Sequence, residues 1–258
     1  MGRHALASFL LGAALACTGV LAQAAQCRPV QSQGQSYVAC TVDIGYDQLR
    51  LFRADAAGTP YKGFDALAKA LSAQGRLLSF AMNAGMYHPD FSPVGLFVDE
   101  GQEAAALSTA AGRGNFFLKP NGVFYVADAS PGAAPPHVGV METGRYARWR
   151  SSKPPGQVRL ATQSGPMLLI EGKLHPALKP DSASRLLRNG VGIVSPQVAV
   201  FVISEGPVNF HEFALLFRDV LGCRDALYLD GNISSLHDID SRRSDAVHPL
   251  GPIIGVVR

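Results

Sequence analysis

The chain has 258 residues, of which 47% are hydrophobic and only 17% charged, with a formal net charge of +3. That composition supports a sizeable packed core and excludes a disordered chain. So small a charge, without any run of lysines or arginines, excludes an electrostatic nucleic-acid binder.

The first residues read as a secretory signal. Arg3 and His4 form a short basic start, an apolar run follows from Ala5 to about Val20, and Ala22-Gln23-Ala24 offers small residues at −3 and −1. Cleavage is expected after Ala24 or one residue later, which makes the mature protein periplasmic or secreted. The competing reading is an uncleaved anchor, since the run approaches spanning length; the small-residue exit favours cleavage. Cys17 does not make a lipoprotein signal, because Leu15 stands next to Ala16 instead of two before the small residue. No later apolar run could span a bilayer, so residues 25–258 are expected as one domain without a stable membrane anchor.

Cys27 and Cys40 flank a segment with a turn-prone Ser32-Gln33-Gly34-Gln35. A hairpin there brings the sulfurs together, and an oxidising compartment favours a disulfide. Short β-like runs follow: Tyr37 to Val42, Gln48 to Phe52, Arg76 to Met82, Gly95 to Val98 and Val123 to Ala127. Val158 to Thr162, Met167 to Ile170, Val198 to Ile203, Ala226 to Leu229 and Ile253 to Val257 complete the set. Two segments have helical period. Phe64, Leu67, Ala68 and Leu71 form one stripe, with Gly75 as a stop. Phe213, Leu216, Phe217 and Val220 form the other, between an Asn209/Glu212 capping box and Gly222. Ala129 to Pro136 and Ser151 to Gly156 read as loops within the domain. The expected fold class is α+β: a single domain with a mainly antiparallel or mixed sheet and about two main helices. Cys223, at the end of the second helix, is expected to be a buried, inert thiol.

No G-x-S-x-G, S-x-x-K, H-E-x-x-H or P-loop signature is present. His88, His137, His175, His211, His237 and His248 are scattered without ligand spacing, so neither a metal site nor a cofactor is expected, although a divalent metal stays open. Polar residues instead gather where strands end: Asn83-Ala84-Gly85, Thr162-Gln163-Ser164-Gly165, Glu205-Gly206 and Asp230-Gly231-Asn232-Ile233-Ser234-Ser235. Loops at strand ends are where a rigid scaffold presents functional groups. Each taken alone is an ordinary turn; four in a weakly charged chain suggest convergence.

These motifs resemble the phosphodiester glycosidase family. Asn83-Ala84-Gly85-Met86-Tyr87 leading to Pro93-Val94-Gly95-Leu96 is similar to its N-G-G-F-F…P-x-G-L element. Gly165-Pro166-Met167-Leu168 and Arg188-Asn189-Gly190-Val191-Gly192-Ile193 keep the family's order. Ala226 to Ser235 resembles L-D-G-G-G-S-S, with Asn232 and Ile233 replacing two glycines. Ser204-Glu205-Gly206-Pro207 stands where the family has D-G-R, so a carboxylate is kept and the arginine lost. Gly114 to Gly122 looks like a bacterial branch of the family.

The resemblance implies an exported hydrolase that removes a sugar from a glycosyl 1-phosphodiester or related cell-envelope glycan. The transition state resembles an oxocarbenium ion, and the leaving phosphate needs charge stabilisation more than protonation. Asp230 and Glu205 are the expected carboxylates, and Arg188 the expected phosphate ligand, with Arg185 second. Asn83, Gly85, Thr162, Gln163, Gly165, Gly231, Asn232, Ser234 and Ser235 are expected to line the substrate site. Two other readings stand beside this one. The first is a non-catalytic periplasmic module that binds glycans or phosphates. The second is a metal-dependent phosphodiesterase using Asp230, His237, Asp238 and Asp240.

Overall fold

The structure, a computed structural model, describes residues 25–128, 135–154 and 156–258. The signal segment, and most of the loop expected from Ala129 to Pro136, lie outside the described residues. In chain order the elements are β1 (Gln26–Ser32), β2 (Gln35–Asp43), β3 (Gln48–Phe52), α1 (Phe64–Ser72), β4 (Leu78–Asn83), β5 (Phe97–Asp99) and β6 (Gln102–Ala105). Next come β7 (Gly122–Ala127), β8 (His137–Glu142), α2 (Thr143–Ser151), β9 (Val158–Ser164), β10 (Met167–Ile170), β11 (Lys173–Leu174) and β12 (Asn189–Ile193). The last are β13 (Val198–Ser204), α3 (Phe210–Leu215), β14 (Ala226–Asp230), β15 (Leu236–Asp238), β16 (Arg243–Ser244) and β17 (Ile253–Val257).

The strands make three sheets, ordered β1-β2-β13-β12-β14-β10-β11, β16-β15-β4-β17-β3 and β6-β5-β9-β7-β8. Within them every pairing is antiparallel. One core lies between them. Phe80 of β4 and Phe124 of β7 each meet Phe201 of β13 with ring centroids 5.5 Å apart, so one aromatic from each sheet marks the centre. The outer face of each sheet is closed by a helix. Phe64, Leu67 and Leu71 of α1 pack on β4 and β17; Tyr146 and Trp149 of α2 cover β7; Phe213 of α3, with Leu216 and Phe217, covers β12 and β14. This is the expected α+β fold, with three helices among the described residues in place of about two.

Helix α2 escapes the sequence pattern because its apolar stripe is reduced to Tyr146 and Trp149 among three arginines. What starts it is Glu142, whose carboxylate accepts from the backbone N–H groups of Gly144 and Arg145 at 2.8 and 2.7 Å. The α3 region begins with the expected capping box of Asn209 and Glu212. It then widens into a π turn over Leu216–Val220, closed by Leu221 N donating to Leu216 O at 3.1 Å. The extra residue in that turn rotates Val220 outward, leaving it 47% exposed instead of on the buried stripe.

At the N-terminus β1 and β2 form the expected hairpin, turning at Gln33 (φ 49°) and Gly34 (φ 74°). Two successive positive φ values match the right-handed twist of the flanking strands. Cys27 and Cys40 stand directly opposite each other and are joined by a disulfide with an S–S distance of 2.10 Å. The bond fits an oxidising compartment. Cys223 is buried and free, and burial pushes its thiol up to about 12, so it stays protonated. No described helix is long and apolar enough to cross a membrane.

Candidate active site

The antiparallel registers bring several strand ends to one edge of the core. Asn189, opening β12, lies opposite both Asp230, closing β14, and Ile203 of β13. At the same edge β9 ends with Ser164 opposite Gly122 of β7, and β4 ends with Asn83 opposite Ile253 of β17.

Polar side chains stitch the three sheets together here. Asn189 Nδ2 donates to the Asn83 carbonyl at 2.6 Å, linking the first sheet to the second. Ser164 Oγ donates to the Leu229 carbonyl at 2.9 Å, linking the third to the first. Thr162 Oγ1 donates to the Ala84 carbonyl at 2.8 Å, linking the third to the chain leaving β4. That link also explains Gly85, which sits at φ 150°, with an added Cβ coming within 3.3 Å of Thr162 Oγ1 and 3.4 Å of the Gln163 carbonyl. Each bond gives a main-chain carbonyl of one sheet a side-chain donor from another.

Asp230 is the charged group at the centre of this edge. Its Oδ1 accepts from Gly231 N at 2.7 Å, while Oδ2 is enclosed and has no hydrogen-bond partner. Desolvation raises its pKa to about 6, against the lowering pull of the Gly231 N–H and the Asn83 amide. Asn83 is itself fixed, its Oδ1 accepting from Ser235 N at 3.0 Å, with Nδ2 left over. Asn83 Nδ2 and Asp230 Oδ2 are each beyond hydrogen-bond distance of any partner, yet the amide faces the carboxyl closely enough to lower its pKa.

Behind Asp230 the turn is held by Tyr228. A Cβ on Gly231 would lie 2.6 Å from the Tyr228 hydroxyl, so only glycine lets the chain pass so close. Ser234 N closes the turn on the Gly231 carbonyl at 2.6 Å, and Ser234 Oγ reaches the Asp230 carbonyl at 3.2 Å. Ser235 Oγ stays local, donating to the Ile233 carbonyl at 2.9 Å. Asn232 is exposed at the tip of the turn.

The expected site residues therefore fall into distinct groups. Asn83, Gly85, Thr162, Gly231, Asn232, Ser234, Ser235 and Asp230 share this edge. Gln163 is turned inward: its Oε1 accepts from Leu96 N and Ser108 N, and its Nε2 donates to the Ser108 carbonyl and to Thr143 Oγ1. Its hydrogen-bonding capacity is used within the fold. Gly165 packs against Asn121, where an added Cβ would come within 2.5 Å of the asparagine Cβ.

Arg188 is fully enclosed. Its guanidinium lies 3.7 Å from the Phe210 ring centroid and 5.5 Å from that of Tyr228, and it donates to the carbonyls of Val208 and Ser184, both at 2.9 Å. Nη1 is buried without a partner, and burial lowers the pKa of the group. Arg185 is instead paired with Glu212 at 2.8 Å. Glu205 faces outward from the end of β13 and pairs with Arg243 at 2.5 Å; Arg243 also holds Asp245 at 3.0 Å, whose Oδ2 accepts from Leu236 N.

Among the described residues no group of three or more His, Cys, Asp and Glu side chains gathers in a metal-binding arrangement. His237 is bonded to Ser244 Oγ and the Leu78 carbonyl, and Asp238 to Ser241, all within or beside their own hairpin.

The ordered motifs and the fold they build correspond to a known domain: the family model described as phosphodiester glycosidase matches residues 77–256. The chain belongs to the phosphodiester glycosidase family. It is 37% identical over 199 residues to the uncharacterised protein YigE of Escherichia coli K12, covering 77% of this chain and 73% of YigE. Its fold is similar to the catalytic domain of zebrafish N-acetylglucosamine-1-phosphodiester alpha-N-acetylglucosaminidase, described as auto-inhibited by its pro-peptide. That match has a TM-score of 0.59 and 11% identity, over 90% of this chain and 81% of the zebrafish chain. A hypothetical protein from Synechocystis is also similar, with a TM-score of 0.53 and 16% identity over 90% of this chain. The chain spans 61% of that protein's length.

Two residues that shape this edge carry no signal of their own in the sequence. Asn189 carries the bond between two sheets; the sequence places it in the Arg188–Ile193 motif but gives it no role of its own. Tyr228 reads as an ordinary strand aromatic; its proximity to Gly231 is the missing signal.

Proposed function

We propose that the protein is an exported glycosidase that cleaves a sugar from a glycosyl 1-phosphodiester, with Asp230 as the carboxylate that activates water. The observation that carries this reading is the placement of Asp230. It sits where three sheets are tied together, in a turn matched to the family's signature, with its pKa lifted to about 6. A base with that value is mostly ionised at neutral pH and still a better proton acceptor than a free carboxylate. Asp230 takes a proton from water as the oxygen attacks the anomeric carbon. The bond from that carbon to the phosphate oxygen breaks, and its electron pair leaves with the phosphomonoester.

The other expected groups take supporting roles in this reading. Arg188 is enclosed against Phe210 and Tyr228, so in this reading it supports the strand that carries Asp230 and does not touch the phosphate. Glu205 holds Arg243, which with Asp245 anchors the chain entering β15 immediately after Ser235. Asn83, its Nδ2 left without a partner, orients a sugar hydroxyl, and the Ser234–Ser235 turn holds Asn83 in place through Ser235 N. The signal expected over residues 1–24, together with the Cys27–Cys40 disulfide, supports a periplasmic or secreted location.

The test is turnover of a nitrophenyl or UDP-linked N-acetylglucosaminyl phosphodiester by the purified protein. Hydrolysis abolished in Asp230→Asn supports the reading. Binding of such compounds without turnover, unchanged in that variant, would establish a non-catalytic binding module instead.

A further inference from the structure

Beside Asp230 the chain builds a feature that the proposed chemistry does not use. Tyr87 is wedged in place: its hydroxyl donates to the Pro249 carbonyl at 2.5 Å, and its ring packs where any side chain at Gly251 would stand. Phe91 stacks on Tyr87 with centroids 5.5 Å apart and planes 14° from parallel. Lys62 Nζ then lies 4.7 Å from the Phe91 centroid. Lys62 and Phe91 both hold positive φ, 60° and 67°, a conformation both residue types avoid. Two avoided conformations in residues that touch each other indicate that the surrounding fold imposes this contact, a pattern that concentrates at functional sites.

Tyr87, at the inner end of the stack, lies within electrostatic reach of the proposed catalytic edge. Asp230 raises the pKa of Tyr87 through its charge, with burial the larger cause. Leu250 N donates to the Lys62 carbonyl at 3.0 Å, and only three residues on, Ile253 pairs with Asn83. Three residues of chain span at most about 11 Å. Lys62 is exposed and, among the described residues, in no ion pair, whereas Arg185 and Arg243 at this end are both paired with carboxylates. A neighbouring cavity of about 350 Å³ places Asp65, Asp245 and His248 near Lys62. Asp245 is held by Arg243 and Asp65 accepts from Ser244 Oγ, and neither pairs with the ammonium.

We propose that Lys62 is a specificity-determining residue that binds the anionic phosphate side of the substrate while Asp230 faces the sugar. The inference rests on the phosphodiester reading above. An enclosed Arg188 cannot meet a phosphate directly, whereas an exposed ammonium fixed over an aromatic stack can. Its charge then favours the phosphodiester over a neutral glycoside and stabilises the departing phosphomonoester.

Titration calorimetry with inorganic phosphate and with glucose 1-phosphate tests this independently of turnover. Lys62→Met keeps the stem over Phe91 and removes the charge; Lys62→Arg keeps the charge. The methionine variant is expected to bind both anions about fivefold more weakly at low salt, the scale of one exposed charge contact. The arginine variant should bind like the wild type, and the difference should vanish at about 1 M salt, where the screening length is near 3 Å. Equal phosphate affinity in Lys62→Met and wild type, or no phosphate binding by the wild type, would overturn the assignment. Charge-dependent phosphate binding by a protein that hydrolyses no phosphodiester would instead sink the catalytic reading and leave the Lys62 site standing.

Discussion

Replacing Asp230 by asparagine should stabilise the protein at neutral pH while removing its activity. The carboxyl has an ordinary value of 3.8 and a folded value of about 6. As pH rises, the unfolded chain therefore loses this proton before the folded chain does. Folding stability from this group is full below about pH 4, falls between pH 4 and 6, and is flat above. Two pKa units correspond to about 3 kcal/mol. Asparagine escapes that penalty and keeps an oxygen for Gly231 N, but it sets its own amide against the Asn83 amide. The lost interaction costs about 1 kcal/mol, leaving a net gain of about 2 kcal/mol above pH 7. For a domain of this size that is a rise in Tm of roughly 4–8 °C. Below pH 4 the sign should reverse, because protonated Asp230 is no longer penalised. Thermal unfolding of both proteins from pH 4 to 8 measures this. A stability difference that does not change with pH would refute the assignment of a desolvated carboxylate.

Three further outcomes follow from the geometry. Gly231→Ala should lower kcat/KM about 100-fold, the scale of a displacement near 1 Å at reacting groups; Tyr228→Phe in that background should restore part of the loss by removing the hydroxyl the new Cβ meets. Glu205→Gln should change kcat/KM by no more than about fivefold, since an exposed ion pair contributes up to about 1 kcal/mol, and a loss comparable to that of Asp230→Asn would make Glu205 a second catalytic carboxylate. The Cys27→Ser/Cys40→Ser double variant should lose about 3 kcal/mol in urea unfolding, and a loss near zero would mean that the hairpin is held by its strand pairing alone.

Much of this fold could be read from the sequence because its strands are short apolar runs bounded by turn residues. β3, β10 and β17 have the expected ends. The capping box and the cysteine hairpin were legible because both depend on residues close in sequence. β8 and β12 were missed for a shared reason: His137–Glu142 carries Gly139, and Asn189–Ile193 carries Gly190 and Gly192, so neither shows a continuous apolar run. In β12 the glycines are structural, since a Cβ at Gly192 would come within 2.6 Å of the Phe217 ring.

The candidate site was legible only in outline. Clustering at strand ends pointed to Asp230, Asn83 and the Ser234–Ser235 turn, which do share one edge. Sequence could not show that Gln163 spends its amide on Leu96, Ser108 and Thr143, or that Arg188 is closed off between Phe210 and Tyr228. Both depend on how separate sheets meet. The ion pair of Glu205 with Arg243 joins residues 38 apart in the chain and had no local signal.

The most direct test is the pH profile of kcat/KM for hydrolysis of an N-acetylglucosaminyl phosphodiester by the wild-type protein and Asp230→Asn. The wild type should show an ascending limb centred near pH 6, set by the desolvated Asp230 carboxyl, and the variant should show no turnover at any pH. Turnover that survives the substitution, or a limb that stays in place without Asp230, would contradict the account.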